Sequence, residues 1–79
     1  MKKRITDLKA GEKATVIGFE NDGHDMERLM QMGLVEDTKV ELIRVAPTGD
    51  PIEMLVEHYS LSLRRADARQ IFVEHLPNQ

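Results

Sequence analysis

Three histidines, His24, His58 and His75, are the best candidates for metal chemistry in this chain, and no two of them stand four apart on a predicted helix. His24 lies in the run Glu20-Asn21-Asp22-Gly23-His24-Asp25, where Glu20, Asp22 and Asp25 add hard oxygen ligands that, with imidazole, suit a divalent transition metal. The run lacks the spacing of a calcium loop, and its acids equally favour the positive start of a following helix. A site built on Met26, Met30 and Met32 without cysteine would select Cu(I). The reading adopted is therefore capping and packing, with no metal and no cofactor expected. The absence of cysteine removes disulfides and thiolate sites, and it is compatible with a reducing cytoplasm.

Nucleophilic chemistry has no better footing. Thr6, Thr15, Thr38, Thr48, Ser60 and Ser62 lack a neighbouring base in any recognisable motif, and no glycine-rich loop ends in Lys-Ser or Lys-Thr. Glu36 and Asp37 are adjacent and read as a solvated turn. The chain is not expected to be an enzyme. Basic residues gather at Lys2-Lys3-Arg4 and at Arg64-Arg65 with Arg69, but the net charge is −3 with both signs interspersed. That balance does not support a strong phosphate-backbone binder, so no nucleic acid is expected. After the basic start, Thr6, Asp7, Lys9 and Glu12 interrupt what an export signal would keep apolar. The longest apolar runs fall far short of the roughly 20 residues needed to cross a bilayer. The expected location is the cytoplasm.

These residues must be positioned by a small fold, since 79 residues make a single domain with a core near the minimum adequate size. Alternating runs recur roughly every 8 to 15 residues and predict about five strands. The first is Ala14 to Phe19, after a turn at Ala10-Gly11-Glu12, with a bulge or bend at Gly18. Lys39 to Val45 and Ile52 to Glu57 flank Ala46-Pro47-Thr48-Gly49-Asp50-Pro51, in which Pro47 suits the second turn position and Gly49 the fourth, while Pro51 makes Asp50 extended. Tyr59, Leu61 and Leu63 share one face of a further strand, and Ser60, Ser62 and Arg64 the other. A helical turn over Arg65 to Gln70 then precedes a last strand at Ile71 to His75.

Met26, Leu29, Met30 and Gly33 recur at helical spacing and predict a helix over Asp25 to Met32. Gly33 should take the left-handed position after its end, with Leu34 packing back on Leu29, and Asp22 or Asp25 should cap its start. Met26 and Met30 share the face of Leu29, whereas Met32 sits off it. Met32 and Leu34 are therefore the expected apolar docking patch, with the Arg64, Arg65 and Arg69 face as its alternative. The architecture is mainly β, a small SH3-like barrel with one short α-helix and a helical turn before the last strand. Recognition of proline-rich peptides would need an aromatic-lined groove, and only Phe19, Tyr59 and Phe72 are available, with Phe19 and Phe72 expected in the core.

In order, Gly11 with Ala14 and Val16, Arg28-Leu29 through Met32-Gly33-Leu34, Ala46-Pro47-x-Gly49-Asp50-Pro51, Leu61-Ser62-Leu63-Arg64, then Ala68 and Ile71-Phe72-Val73 resemble the FeoA family. The resemblance covers about Leu8 to Val73. It implies an SH3-like barrel and an accessory role in bacterial ferrous iron uptake, by contact with FeoB, a membrane permease whose cytosolic domain binds guanine nucleotides. The chain departs from the family pattern at Glu36-Asp37, where a Pro-Gly turn is usual, and at Glu57-His58-Tyr59, where a glycine is common. The same barrel resembles the C-terminal domain of iron-dependent repressors, so two rival functions stay open: a nucleic-acid-binding small barrel and a metal-sensing regulatory domain.

Overall fold

In the computed structural model, which describes residues 2–21 and 23–76, the alternating runs become strands of one antiparallel sheet. The elements are β1 (Lys2–Arg4), a 3-10 turn (Ile5–Asp7), β2 (Lys13–Phe19), α1 (His24–Gln31), β3 (Lys39–Val45), β4 (Ile52–Val56), β5 (Tyr59–Leu63), α2 (Arg65–Ala68) and β6 (Ile71–His75). The strand order is β1-β6-β2-β3-β4-β5, so the last strand inserts between the first two. All five expected strands are present, and β1 adds a sixth. Three consecutive cations carry no strand signal of their own. They become one because Lys2 lies opposite Glu74 and Arg4 opposite Phe72, whose ring sits 4.2 Å from the Lys2 ammonium and 4.9 Å from the Arg4 guanidinium. Phe72 is accordingly half-buried beneath cations and is not in the core, contrary to expectation.

Inward residues of the strands meet in one cluster. Ala14, Val16, Val40, Leu42, Ile52, Met54, Val56, Leu63, Ile71 and Val73 are buried there with Ile5, Leu8, Leu29, Leu34 and Ala68. A single sheet can surround one cluster only by curling, and its registers slip between Val16 and Gly18 and between Leu42 and Arg44. The first slip is the irregularity expected at Gly18. The corner between β3 and β4 also forms as read: the Gly49 N–H donates to the Ala46 carbonyl at 2.7 Å, placing Pro47 second and Gly49 fourth. The Asp50–Pro51 peptide is cis.

Helix α1 begins one residue earlier than expected, with Gly23 and not an aspartate at the N-cap position and no side-chain cap. Asp25 lies inside the first turn, and Asp22 lies outside the described residues. The stop is the expected one. Gly33 has φ +98°, its N–H donates to the Met30 carbonyl at 3.0 Å, and the Leu34 N–H donates to the Leu29 carbonyl at 3.2 Å. Those two bonds satisfy carbonyls that a helix end leaves free, and Leu34 returns to the core beside Leu29.

Candidate partner-binding surface

The short helix α2 presents the basic group expected from the sequence. Arg64, Arg65 and Arg69 are exposed and, among the described residues, form no ion pair. Their backbone is well anchored: the Arg65 N–H donates to Asp50 Oδ1 at 3.1 Å, tying the start of α2 to the β3–β4 corner. Arg4 donates to the Arg69 carbonyl at 2.6 Å and pairs with Glu20, so the two basic runs of the sequence meet here, with Arg4 already neutralised. Glu20 is thereby engaged away from His24. Among the described residues no three His, Asp or Glu side chains converge to hold a metal ion.

One ion pair locks α1 to α2. Arg28 Nη2 donates to Asp67 Oδ1 at 2.8 Å and Nη1 to Oδ2 at 3.1 Å, a two-pronged contact to a carboxylate whose side chain is 11% exposed. Those hydrogen bonds hold the Asp67 carboxyl below its ordinary range, outweighing burial, and the nearby Arg64 charge adds to them. Arg28 also reaches Asp25 at 3.6 Å. Residues 28 and 67 are far apart in the chain, and no pattern pairs them. The only sequence signal was an aspartate inside a short helical turn otherwise rich in arginine.

The end of α1 differs from expectation in three side chains. Met30 is 41% exposed, whereas Met32 is half-buried against the core. Leu34 has no exposed surface at all, so it is a core residue and not part of a docking patch. For Met32 the reason lies in the helix stop. Met32 is the C-cap, with φ −84° and ψ +1°, and beyond the last helical residue the regular rotation per residue no longer assigns a face. Tyr59, from the first position of β5, covers this end by donating its hydroxyl to the Met32 carbonyl. Arg28, Met32, Ser62, Leu63, Arg64 and Asp67 then line a groove of 540 Å³ between α1, β5 and α2.

Both departures from the family pattern fall where the backbone turns left-handed. Asp37 has φ +72° and Glu57 has φ +54°, the conformation that glycine adopts without strain. Local loop shape is thus kept with a less suitable residue. No helix among the described residues is long and apolar enough to cross a membrane.

With this geometry in hand, comparison with known proteins gives a consistent result. The family model described as FeoA domain matches residues 3–75. A Porphyromonas gingivalis protein named as a fusion of Fe(2+) transport protein A and Fe(2+) transporter FeoB is 34% identical over 71 residues, covering 90% of this chain and 8% of its own length. The solution structure of a FeoA-like protein from Clostridium acetobutylicum superimposes with a TM-score of 0.90 at 33% identity, covering 99% of this chain and 91% of that one. The fold alone is shared with a Stenotrophomonas maltophilia protein described as an SH3 domain and solved with zinc, at 21% identity and a TM-score of 0.78, over 91% of this chain and 89% of that one.

Proposed function

This chain belongs to the FeoA family, and from that premise we propose that it is a cytoplasmic, non-enzymatic accessory protein of ferrous iron uptake that works by direct contact with a FeoB-type permease. The observation that carries the reading is the Porphyromonas gingivalis relative, in which a segment like this one and a transporter share one polypeptide. Covalent fusion keeps two units at high effective concentration, which serves a pair that must meet. The chain spans 8% of that relative's length, so transport itself is assigned to the partner.

The physical features agree with an adaptor. The concavities found among the described residues are open grooves lined in part by charged side chains, and the exposed cations of α2 sit on an anchored backbone. The partner's guanine-nucleotide domain and the membrane are reached only through that contact. The test is binding of the purified chain to the permease in detergent or nanodiscs, measured by interferometry. Saturable, salt-sensitive binding is the expected result; no binding at low salt up to high micromolar concentration would end the proposal. A shift of RNA or DNA at physiological salt would favour the nucleic-acid rival instead.

A further inference from the structure

The strand β5 closes one side of the sheet, and only one of its two edges is used. In the β4–β5 hairpin, Val56 faces Tyr59 across the two-residue turn Glu57-His58, followed by Met54 with Leu61 and Ile52 with Leu63. Antiparallel pairs alternate between hydrogen-bonded and non-bonded, and the pair that closes a two-residue turn is bonded. Tyr59, Leu61 and Leu63 therefore direct their N–H and C=O groups to β4. Ser60 and Ser62 direct theirs outward, away from the sheet, and these groups make no hydrogen bond to any other described residue. Both serines are exposed. The strand reads Tyr-Ser-Leu-Ser-Leu, with none of the lysine, proline or bulge that commonly guards an open edge.

Beside this edge runs the groove of 540 Å³ that Arg28, Met32, Ser62 and Arg64 help to line. Arg64 lines it just past the end of β5 and exposed Arg65 follows in the chain, neither with a carboxylate partner among the described residues, and Asp67 in the wall is already neutralised by Arg28. An open backbone edge, a groove to lie in and unpaired cations at one end are complementary to a single kind of occupant. We infer that β5 accepts an added strand from the permease partner, an extended segment carrying acidic residues that end against Arg64 and Arg65. Main-chain bonds to Ser60 and Ser62 supply the attachment, and the arginines set its charge and direction. A second copy offering its own β1 fits worse, because Lys2, Lys3 and Arg4 would approach the same arginines.

This inference rests on the permease reading, and the test separates the two. Amide hydrogen exchange of the wild-type chain is measured alone and with the purified permease, alongside binding of Ser62→Pro and of the double variant Arg64→Glu/Arg65→Glu. Proline at position 62 removes only an outward N–H, a placement that edge strands tolerate. The expected results are fast exchange at Ser60 and Ser62 that slows in the complex, at least tenfold weaker binding by Ser62→Pro, and at least tenfold weaker binding by the double variant with a loss of salt sensitivity. Wild-type binding that leaves both serine amides fast, or undiminished binding by folded Ser62→Pro, overturns the strand addition while leaving the permease contact standing. Undiminished binding by the double variant overturns the acidic character of the segment. Failure of the wild-type chain to bind the permease at all removes both readings. Concentration-dependent protection of the serine amides without permease, with doubling of the mass, overturns the hetero-partner in favour of a second copy. If Ser62→Pro does not fold, the exchange measurement on the wild-type chain decides alone.

Discussion

The two edges of the sheet are finished in opposite ways. At β1 three cations occupy three positions, two of them lie over Phe72, and the Arg4 N–H is taken by the Asp7 carboxylate at 2.9 Å, so charge and a local bond guard that edge. At β5 the residues are uncharged, two amides point outward without a partner, and the cations are set back beyond the end of the strand. Charge on a strand edge discourages pairing, whereas charge beside an open edge selects what may pair. One sheet thus has a protected side and a receptive side. The receptive side is the one flanked by α1 and α2.

The support of that side can be broken in graded steps. The largest effect is expected from Leu34→Glu, which places a carboxylate in the core beneath α1 and should remove cooperative unfolding at 25 °C, a loss of more than about 4 kcal/mol. Met30→Glu, on the exposed face, should shift stability by no more than about 0.5 kcal/mol. A well-folded Leu34→Glu protein in circular dichroism would show that the helix end is peripheral to the core.

Next comes Asp67→Asn, which keeps the shape of the side chain and removes the charge that Arg28 grips. A loss of about 1–3 kcal/mol is expected in urea unfolding, with faster amide exchange in α1 and α2 and none of it in β1. The same variant carries the pH dependence. The Asp67 carboxyl is held below its ordinary value mainly by the Arg28 hydrogen bonds, and that of Glu12 mainly by the Lys9 N–H. Groups with a lowered folded value bind fewer protons than the unfolded chain, so their stabilisation is complete above the ordinary carboxylate range near pH ~4 and fades as the pH falls through the folded values. Asp67→Asn should flatten that acid limb. An acid limb identical to wild type would assign it to other carboxylates.

A smaller step is Gly33→Ala. Its new methyl group would meet the Tyr59 hydroxyl at once, with Tyr59 Cζ 3.2 Å away, on a backbone at φ +98° that alanine resists. A loss of about 1–2 kcal/mol is expected, falling toward about 1 kcal/mol in a Tyr59→Phe background, where the hydroxyl clash is gone and backbone strain with a close ring contact remains. Equal losses in both backgrounds would mean that Tyr59 moves aside freely.

The smallest expected change is a gain. Glu57 stands at φ +54° in the turn that starts β5, and glycine there relieves about 1 kcal/mol of left-handed strain while costing somewhat less in unfolded-chain entropy. The weak bond from the Lys39 N–H to Glu57 Oε2, 3.4 Å long, is also given up. Glu57→Gly should therefore stabilise by about 0.5 kcal/mol, read as a small rise in melting temperature. Destabilisation would show that the Glu57 side chain matters more to the hairpin than its backbone.

What could be read from the chain was whatever a few neighbouring residues settle among themselves. Gly33 followed by Leu34 stops α1, Pro47 and Gly49 build the corner, Gly18 marks a slip in register, and alternation places the inward residues of five strands. In each case the competing conformations differ by local sterics or one turn's hydrogen bonds, so a short window of sequence contains the deciding information. Even the departures at Glu36-Asp37 and Glu57-His58 were visible as places where glycine is usual, and the backbone is left-handed there.

The tertiary structure decided what depends on partners distant in sequence. Lys2–Arg4 is a strand only because β6 offers an edge and Phe72 a ring, and Arg28 reaches Asp67 only because α1 and α2 pack side by side. Met32 turned inward because the helix had already ended at the C-cap, where the chain's path, not the rotation per residue, aims the side chain, whereas Met30, still inside α1, lies on its exposed side. Alternation told which serines of β5 face outward from the core. It could not tell that no strand lies beyond them, because an edge is defined by the neighbour that is missing, and strand order is a long-range property of the whole sheet.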